Sequence, residues 1–312
     1  GLRYDVVALT NITHEHLDYH KTMGEYRKAK EQLFAHNPRV AVINTDDPAA
    51  PYFLNYPAGT KLTYAILDSL RPKEALDHPS VTASMIRLGE EETAFRLTTP
   101  YGEEDVTIPL PGRFTIANVL VASAIALSLG VHISEVKKTL ARLRPVEGRL
   151  EPVDEGQPFH IIVDFAHTPN GLQQVYSTVR PTVKGRLIAV LGATGNRDKT
   201  KRPILGALAA RYADLVIVTN EDPGTEDPNA IINEVASGVP RGRPKIEEPS
   251  KGEGTWWWRI PDRREAITKA LGLAKRGDTV LITGKGGEHV MAVGDRLIPW
   301  NDVKVVKEIL AR

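Results

Sequence analysis

The stretch Leu187-Ile-Ala-Val-Leu191-Gly-Ala-Thr-Gly195-Asn-Arg-Asp-Lys-Thr-Lys-Arg-Pro203 is the part of the sequence that best indicates the fold. An apolar run leads into a glycine-containing turn, and a helical pattern follows from Ile204. This order places bare backbone N–H groups and the positive end of a helix at the carboxyl edge of a sheet. Charged side chains crowd the turn: Arg197, Asp198, Lys199, Lys201 and Arg202. We interpret the turn as part of a site for a charged, phosphorylated or zwitterionic ligand; an ordinary solvated loop is the alternative.

The same unit recurs through the second half of the chain. Buried strands are predicted at 160–164, 186–191, 215–219 and 279–282, with helical patterns between the first three. This alternation predicts a parallel sheet of the dinucleotide-binding kind, closed by a last strand-and-helix segment that ends at Arg312. The strands run into four polar loops, 164–170, 192–203, 220–228 and 284–289. Because the carboxyl ends of parallel strands share one edge, we expect a ligand site where these loops meet rather than a merely solvated rim.

The first half of the chain is also predicted to be α/β. Strands are predicted at 5–9 and 40–44, and a small antiparallel hairpin region is predicted from four alternating stretches at 61–66, 81–87, 93–98 and 105–110. Two helices follow, at 119–129, ended by Gly130, and at 134–143. A domain junction is predicted at 147–153. The three tryptophans at 256–258 are interpreted either as a strand with one exposed side or a partner contact, or as a loop anchor.

Composition excludes several classes of function. The 312 residues contain 40 Lys and Arg against 39 Asp and Glu, so no global charge favours nucleic acid or a membrane surface as a partner. The sequence has no cysteine, which excludes disulfides and thiolate metal sites and is consistent with a reducing cytoplasm. No apolar run reaches the roughly 18 residues that a membrane span needs.

A histidine-rich segment and a lysine on a predicted helix are candidate metal ligands. His14, His16, Asp18 and His20 would share one face of an extended segment, which leaves a zinc site open. A single imidazole offered to a magnesium or phosphate site is the interpretation we favour. Lys30 lies along the apolar side of a helix predicted from Met23 to Phe34, with Tyr26 and Leu33. A lysine in such a place ordinarily extends its ammonium to water.

Nine short motifs resemble those of the Mur ligases, the ATP-dependent enzymes that add amino acids to the growing peptidoglycan peptide. They are Thr10-Asn11 with His16-Leu-Asp-Tyr-His20, Tyr26-Arg-Lys-Ala-Lys30, Gly112-Arg-Phe with Asn118, Glu147-Gly-Arg149, Val163-Asp-Phe-Ala-His-Thr-Pro169, Asn196-Arg-Asp-Lys with Lys201-Arg-Pro203, Glu221-Asp-Pro with Glu226-Asp-Pro228, Ile260-Pro-Asp-Arg263, and Gly284-Lys-Gly with Glu288. Each motif is weak alone, but nine in register are specific. Within the family, the chain is most similar to the tripeptide-synthetase type, which adds the third residue.

The resemblance implies a fold, a reaction and two cofactors, ATP and Mg²⁺. Residues 1–147 would be the latter part of the central ATP-binding domain, and 148–312 a C-terminal, Rossmann-like domain that binds the amino acid. In this family a peptide carboxylate attacks the γ-phosphate of ATP, and the incoming amine displaces phosphate from the acyl phosphate. The substrates would be UDP-N-acetylmuramoyl-dipeptide and a free diamino acid, used by a monomeric, cytoplasmic enzyme of cell-wall synthesis.

Roles for individual residues follow from the same resemblance. Lys30 matches a family lysine that is carbamylated and becomes a metal ligand, and His16 matches the magnesium-site histidine. The positions that match residues near the nucleotide are Asn118, Arg149, Asp164 and His167. Arg149, at the predicted junction, would reach the γ-phosphate when the domains close and so gate the chemistry.

Selection of the amino acid would belong to the C-terminal loops. Arg197 matches the arginine that meets the carboxylate of the incoming residue, and Gly284 with Glu288 matches the pair that holds the far ammonium. The selecting loop departs from the family's pattern, because Glu221, Asp222, Pro223 and Gly224 stand where enzymes that select meso-diaminopimelate carry Asp-Asn-Pro-Arg. Without a cation at 224, a buried second carboxylate would lose about 2–5 kcal/mol. We therefore predict lysine or ornithine.

No segment matches Gly-x-x-x-x-Gly-Lys-[Ser/Thr], the loop that cradles ATP phosphates. The first residues correspond to a strand inside the family's central domain, so we expect a truncated form or C-terminal fragment of a ligase, inactive alone. A naturally short, non-catalytic binding or partner module stays open. So does another amide ligase of the superfamily, of the folylpolyglutamate synthase or cyanophycin synthetase type.

Overall fold

Two separate β-sheets organise the chain. The structure, a computed structural model, describes residues 2–14, 17–71, 79–239 and 256–311. The chain divides into two units with their own cores, residues 1–144 and 145–312. The boundary predicted between 147 and 148 lies close to this division, and its meaning for functional domains stays a prediction.

The first unit is built on a six-stranded sheet with its strands in chain order. The strands are β1 (Val6–Leu9), β2 (Val40–Asn44), β3 (Thr60–Ile66), β4 (Val81–Leu88), β5 (Thr93–Thr99) and β6 (Gly102–Ile108). β1 to β4 pair in parallel, whereas β4, β5 and β6 pair antiparallel. The prediction of one antiparallel region from 61 to 110 is therefore wrong for β3. Its alternating pattern marks a strand that is part of the parallel sheet.

Helices cover both faces of this sheet. They are α1 (Leu17–His20), α2 (Met23–Glu31), α3 (Ala50–Leu54), α4 (Arg113–Ser128) and α5 (Ile133–Leu140). β2 is buried along both faces, with Val40 and Val42 in the core that includes α4 and Ala41 and Ile43 in the opposite core. α4 packs against β1 to β4 and ends before Gly130, which takes a positive φ as the sequence predicts.

One helix ends earlier than its sequence pattern suggested. α2 stops at Glu31, so the helical periodicity does not extend to the predicted end at Phe34. Leu33, which was expected on the apolar side, is 41% exposed, and Phe34 takes the buried position instead at 2%.

The second unit is an α/β sandwich around a second six-stranded sheet, in the order β11-β10-β9-β12-β8-β7. The strands are β7 (Glu151–Pro152), β8 (His160–Asp164), β9 (Leu187–Leu191), β10 (Leu215–Val218), β11 (Trp256–Arg259) and β12 (Thr279–Thr283). All neighbours pair in parallel except β7, which is antiparallel to β8. The predicted α/β class with a parallel sheet is confirmed.

Among the described residues, five helices cover this sheet, three on one face and two on the other. They are α6 (Pro169–Val179), which leads into a 3₁₀ turn at Arg180–Thr182, then α7 (Lys201–Tyr212), α8 (Pro228–Ala236), α9 (Arg263–Leu273) and α10 (Asp302–Leu310). β9 shows why both faces are covered, because Leu187, Ala189 and Leu191 pack with α6 to α8 while Ile188 and Val190 pack with α9 and α10. A fully apolar strand needs two such cores.

One detail of this unit differs from the sequence interpretation, and a second decides between two alternatives that it left open. The last strand is not part of the main sheet, because β13 (Val290–Val293) and β14 (Arg296–Pro299) form a separate antiparallel hairpin. The tryptophans form the edge strand β11, in which Trp257 and Trp258 pack into opposite cores. Among the described residues, no helix combines the length and apolarity that crossing a bilayer requires.

Candidate functional site

The four loops that follow β8, β9, β10 and β12 are joined to one another by hydrogen bonds. The Gly195 N–H donates to the Asp222 carbonyl at 2.7 Å, which joins the loops after β9 and β10. The Gly284 N–H donates to the Asp164 carbonyl at 3.1 Å, and Lys201 Nζ donates to the His167 carbonyl at 3.1 Å. The predicted convergence of these loops at one sheet edge is confirmed.

A buried lysine links two of these loops. Lys285, 1% exposed, donates to both carboxylate oxygens of Asp222 at 2.8 and 2.7 Å and to Glu288 Oε2 at 2.5 Å. The carboxylate of Asp222 also accepts the Ala292 N–H at 2.8 Å, so it is engaged within the protein. The side chain of Glu288 is 42% exposed.

Glu221 places a further carboxylate next to Gly284, the residue that precedes this lysine. The residue is 2% exposed, and its Oε1 accepts a hydrogen bond from Thr194 Oγ1 at 2.8 Å. Its Oε2 has no hydrogen-bond partner among the described residues. A Cβ on Gly284 would come within 2.3 Å of this oxygen, so only glycine leaves room for the carboxylate there. Glu221 therefore presents an unmatched acceptor inside the loop cluster.

Gly224 stands where enzymes that select meso-diaminopimelate carry an arginine, and Asn196 fills the space that a side chain at this position would need. Gly224 has φ +55, and a Cβ there would lie 2.4 Å from Asn196 Oδ1. This oxygen is held by the Thr225 N–H at 3.0 Å. The Gly224 N–H donates to the Ala292 carbonyl at 3.1 Å, which attaches the loop to the hairpin. A larger residue at 224 needs a different local conformation.

Most of the charges in the glycine turn serve the fold. Arg197 and Lys199 are exposed, but Asp198, Lys201 and Arg202 are buried. Three of the five charged side chains that crowd the turn are therefore not exposed to a ligand there. The reason is that α7 begins at Lys201, which turns Lys201 and Arg202 inward.

Arg202 ties the glycine turn to the loop after β10. Its guanidinium donates to both oxygens of Glu226 at 3.0 Å, to Glu234 at 2.8 Å and to the Thr194 carbonyl at 3.2 Å. The hydrogen bond from Arg202 is the largest cause that lowers the pKa of Glu226 to about 2, with the Asn196 N–H contributing. This network fixes the turn that presents Arg197.

A second buried arginine sets the spacing of two strand ends. Arg263 donates to the carbonyls of Asn220 and Thr283 at 3.0 and 2.9 Å, and it forms a two-point ion pair with Asp302 at 2.8 and 2.6 Å. Both side chains of the pair are fully buried. Asn220 and Thr283 directly precede Glu221 and Gly284, so Arg263 positions both loops without reaching the surface.

Three of the four residues predicted near the nucleotide lie together in the second unit. Asp164, buried, accepts the N–H groups of Leu150 and Ala166 at 2.8 and 2.7 Å, and burial raises the pKa of its carboxyl. The guanidinium of Arg149 lies 4.5 Å from the ring centroid of Phe165, whose other neighbour is the His167 ring at 4.8 Å.

This group fits an anionic ligand. Arg149 is exposed, and its guanidinium forms no ion pair within the described ranges. Stacking on Phe165 holds the cation without neutralising it, so it stays available to a phosphate. Asp164 serves instead to hold the loop, since both of its oxygens are taken by backbone donors.

The remaining predicted residues lie in the first unit. Asn118 is exposed on α4. Lys30 is exposed on α2, with its ammonium 5.4 Å from the ring centroid of the buried Tyr26. His16 lies outside the described residues, and so does the side chain of Asp18. No group of three or more histidines and carboxylates suited to a metal occurs in the described part of the chain. Metal binding by Lys30 and His16 therefore stays a prediction.

Fold and loops together match one class of protein. The Mur ligase middle domain matches residues 1–126, and the domain described as "Mur ligase, glutamate ligase domain" matches residues 148–286. These two families lie in succession along most of the chain.

The chain belongs to the Mur ligase family. It is 41% identical to the UDP-N-acetylmuramoyl-L-alanyl-D-glutamate–2,6-diaminopimelate ligase of Geobacillus thermodenitrificans, over 98% of this chain and 60% of that protein. It is 38% identical to the UDP-N-acetylmuramyl-tripeptide synthetase of a Roseiflexus species, over 100% of this chain and 61% of that protein. The chain thus spans about three fifths of the length of these relatives.

Solved structures show the same architecture. A structure of a UDP-N-acetylmuramoyl-L-alanyl-D-glutamate–2,6-diaminopimelate ligase is 29% identical, with a TM-score of 0.59, over 100% of this chain and 61% of that one. The MurF ligase of Thermotoga maritima in complex with ADP is 19% identical, with a TM-score of 0.68, over 98% of this chain and 61% of that one. The resemblance to tripeptide synthetases stated from the motifs is confirmed.

The structural roles of Lys285, Arg202, Arg263 and Asn196 were not predicted, although all four residues lie in the motifs. One signal was present for Lys285, since a lysine between two glycines, just after the buried strand predicted at 279–282, has little path to solvent. Which carboxylates it meets depends on loops about 60 residues apart in sequence, and local patterns carry no such information.

Proposed function

We propose that the chain is part of an ATP- and Mg²⁺-dependent, ADP-forming ligase of peptidoglycan synthesis in the cytoplasm. The ligase adds a diamino acid to UDP-N-acetylmuramoyl-dipeptide through an acyl phosphate. Family membership and the names of the relatives support this reaction class. The ADP bound in a MurF neighbour supports the nucleotide. Arg149 and His167 would contact its phosphates, Asp164 would hold their loop, Asn118 would lie near the nucleotide, and Lys30 (as carbamate) with His16 would hold the metal.

The amino acid would bind between the loops after β9, β10 and β12. Arg197, exposed in the turn, would take its carboxylate in a two-point contact. Glu288 and Gly284 would take the far ammonium, beside Glu221. The carboxylate of Asp222 is engaged by Lys285 and Ala292, so we assign Asp222 a supporting role within this site.

We further propose that the diamino acid is lysine or ornithine. The observation that carries this proposal is the balance of charge. The carboxylates of Asp222 and Glu288 share one buried ammonium, that of Lys285, and the buried Glu221 carboxylate beside Gly284 has one oxygen without a hydrogen-bond partner among the described residues. The nearby Arg263 is neutralised by Asp302. Such a surplus of negative charge favours an ammonium and disfavours a second carboxylate. Gly224 adds no cation, and Asn196 Oδ1 lies where a side chain at 224 would begin.

The names of several relatives specify 2,6-diaminopimelate, whereas the name of the Roseiflexus relative leaves the third residue open. Calorimetric titration of the 312-residue chain with L-lysine, L-ornithine and meso-diaminopimelate separates these cases. We expect lysine or ornithine to bind at least about 10-fold more tightly, since an unpaired buried carboxylate costs more than 1.4 kcal/mol. Tighter binding of meso-diaminopimelate would contradict the proposed preference but leave the reaction class standing.

A further inference from the structure

Lys285 is a buried cation of the loop cluster that pairs with two carboxylates at once, those of Asp222 and Glu288. It follows β12 by two residues, and its side chain is 1% exposed. An ammonium has three hydrogen-bond donors. Here the three contacts go to Asp222 Oδ1, Asp222 Oδ2 and Glu288 Oε2, at 2.8, 2.7 and 2.5 Å. The hydrogen-bonding capacity of Lys285 is therefore filled by the protein itself.

The three side chains are held by different numbers of contacts, with Asp222 held most firmly and Glu288 least. Asp222 is fixed from two sides, because its carboxylate accepts from Lys285 and from the Ala292 N–H of the hairpin. Lys285 is fixed in turn by Asp222, since a buried ammonium is costly without a paired carboxylate. Glu288 is the outermost member, 42% exposed, and it meets this anchored cation through one oxygen only.

We infer that Lys285 is a positioning and specificity-determining residue, which holds the Glu288 carboxylate where it receives the far ammonium of the incoming diamino acid. This inference rests on the proposed function. The same contacts exclude a second role for Lys285. It cannot pair with a second carboxylate of the ligand, because all three of its N–H donors are already used.

The test compares wild type with Lys285→Met, which keeps a long side chain and removes the charge. Dissociation constants for L-lysine, L-ornithine and meso-diaminopimelate are measured by calorimetry, with ligand-observed NMR for weak binding. We expect K285M to weaken lysine and ornithine by about 10–100-fold, the effect of losing one oriented charge contact. Unchanged affinity for lysine, or a loss confined to meso-diaminopimelate, would overturn the inference.

A double-mutant cycle distinguishes positioning of Glu288 from an independent effect. E288Q removes the carboxylate that Lys285 is inferred to hold, so adding K285M to E288Q should cost little further affinity for lysine. Losses that multiply in the double variant would show that Lys285 acts by another route and would overturn the inference. Arg186→Met is the control for general loss of stability, because Arg186 pairs with Asp278 in the same unit, away from these loops. It should leave the affinity for lysine unchanged.

The absence of cysteine from the chain permits a chemical rescue. Lys285→Cys is alkylated with 2-bromoethylamine in urea, which replaces bromide by the thiolate sulfur and regenerates a lysine analogue, and is then refolded. The aminoethylated chain should regain the affinity for lysine, and the unmodified variant should not. A refolded, aminoethylated chain that binds no better than K285C would overturn the inference. Failure of wild type to bind any of the three amino acids would instead contradict the proposed function.

Discussion

Glu226 illustrates, at the scale of single residues, how a charge in a motif can serve the fold. Its pKa is lowered to about 2 from an ordinary value of 4.5, chiefly by the hydrogen bond from Arg202. Because the folded-state pKa lies below the unfolded one, the ionised carboxylate contributes stability that is complete above pH 4.5 and is lost as the pH falls through 2.

Glu226→Gln should therefore reduce the loss of unfolding free energy that the protein shows as the pH falls. Urea unfolding between about pH 6 and pH 2 should show a smaller loss of unfolding free energy for E226Q than for wild type. Glu135→Gln, at an exposed pair with Lys138, is the control and should leave the profile nearly unchanged. Equal acid slopes in wild type and E226Q would show that the Arg202 contact does not stabilise the fold.

Gly224 carries a second prediction at this scale. Gly224→Ala should destabilise the chain by about 2 kcal/mol, since it adds a steric contact to the cost of a positive φ. Gly156→Ala is the matched control, because Gly156 has φ +86 and nothing lies within 4 Å of a Cβ there; it should cost about 1 kcal/mol.

Removing the Asn196 side chain should make the cost of an alanine at position 224 equal to its cost at position 156. In an Asn196→Gly background, the cost of G224A should fall to that of G156A, as measured by urea unfolding. An undiminished cost would mean that Asn196 does not close this position.

The sequence predicted which residues lie in the loops of the site better than it predicted which of their side chains face solvent. The motifs predicted that Arg197, Glu288 and the loop from Glu221 to Gly224 belong to the site. They did not reveal that Lys201 and Arg202 turn inward. That outcome depends on where α7 begins, and helix boundaries are the least certain part of a local pattern.

At the scale of elements, Arg263 holds β10, β12 and the start of α10 together. Arg263→Met leaves the fully buried Asp302 without its partner, so we expect a loss of about 3–5 kcal/mol in unfolding free energy. The adjacent Arg264 provides the control, because its pair with Glu308 is exposed at 41% and 42%. Arg264→Met should cost less than about 1 kcal/mol. Similar costs for the two variants, measured by urea unfolding, would contradict the structural role of Arg263.

β8, β9, β10 and β12 of the second sheet were predictable because each is a short, largely apolar run between turns. β8 begins and ends where the sequence predicted. The strand direction of β3 and the sheet of the last strand were predicted wrongly. Alternation shows that a strand has two unlike faces but not which partner it pairs with. Pairing is decided by contacts distant in sequence.

At the scale of the whole molecule, the sequence has no phosphate-cradling loop of the Gly-x-x-x-x-Gly-Lys-[Ser/Thr] kind. We therefore expect the 312-residue chain to form no ADP when given ATP, Mg²⁺, UDP-N-acetylmuramoyl-dipeptide and lysine, even where it binds the amino acid. A coupled assay for ADP measures this, with a full-length tripeptide synthetase as the positive control. Turnover above the blank would show that other residues of this chain hold the phosphates.

We propose that loops from three strand ends form one site for the two charged ends of a diamino acid. A crystal structure of the chain soaked with L-lysine tests this proposal. We expect the far ammonium within about 3 Å of the Glu288 carboxylate, with the ligand's carboxylate paired to Arg197. Lysine bound in the reverse orientation, or away from both side chains, would contradict it.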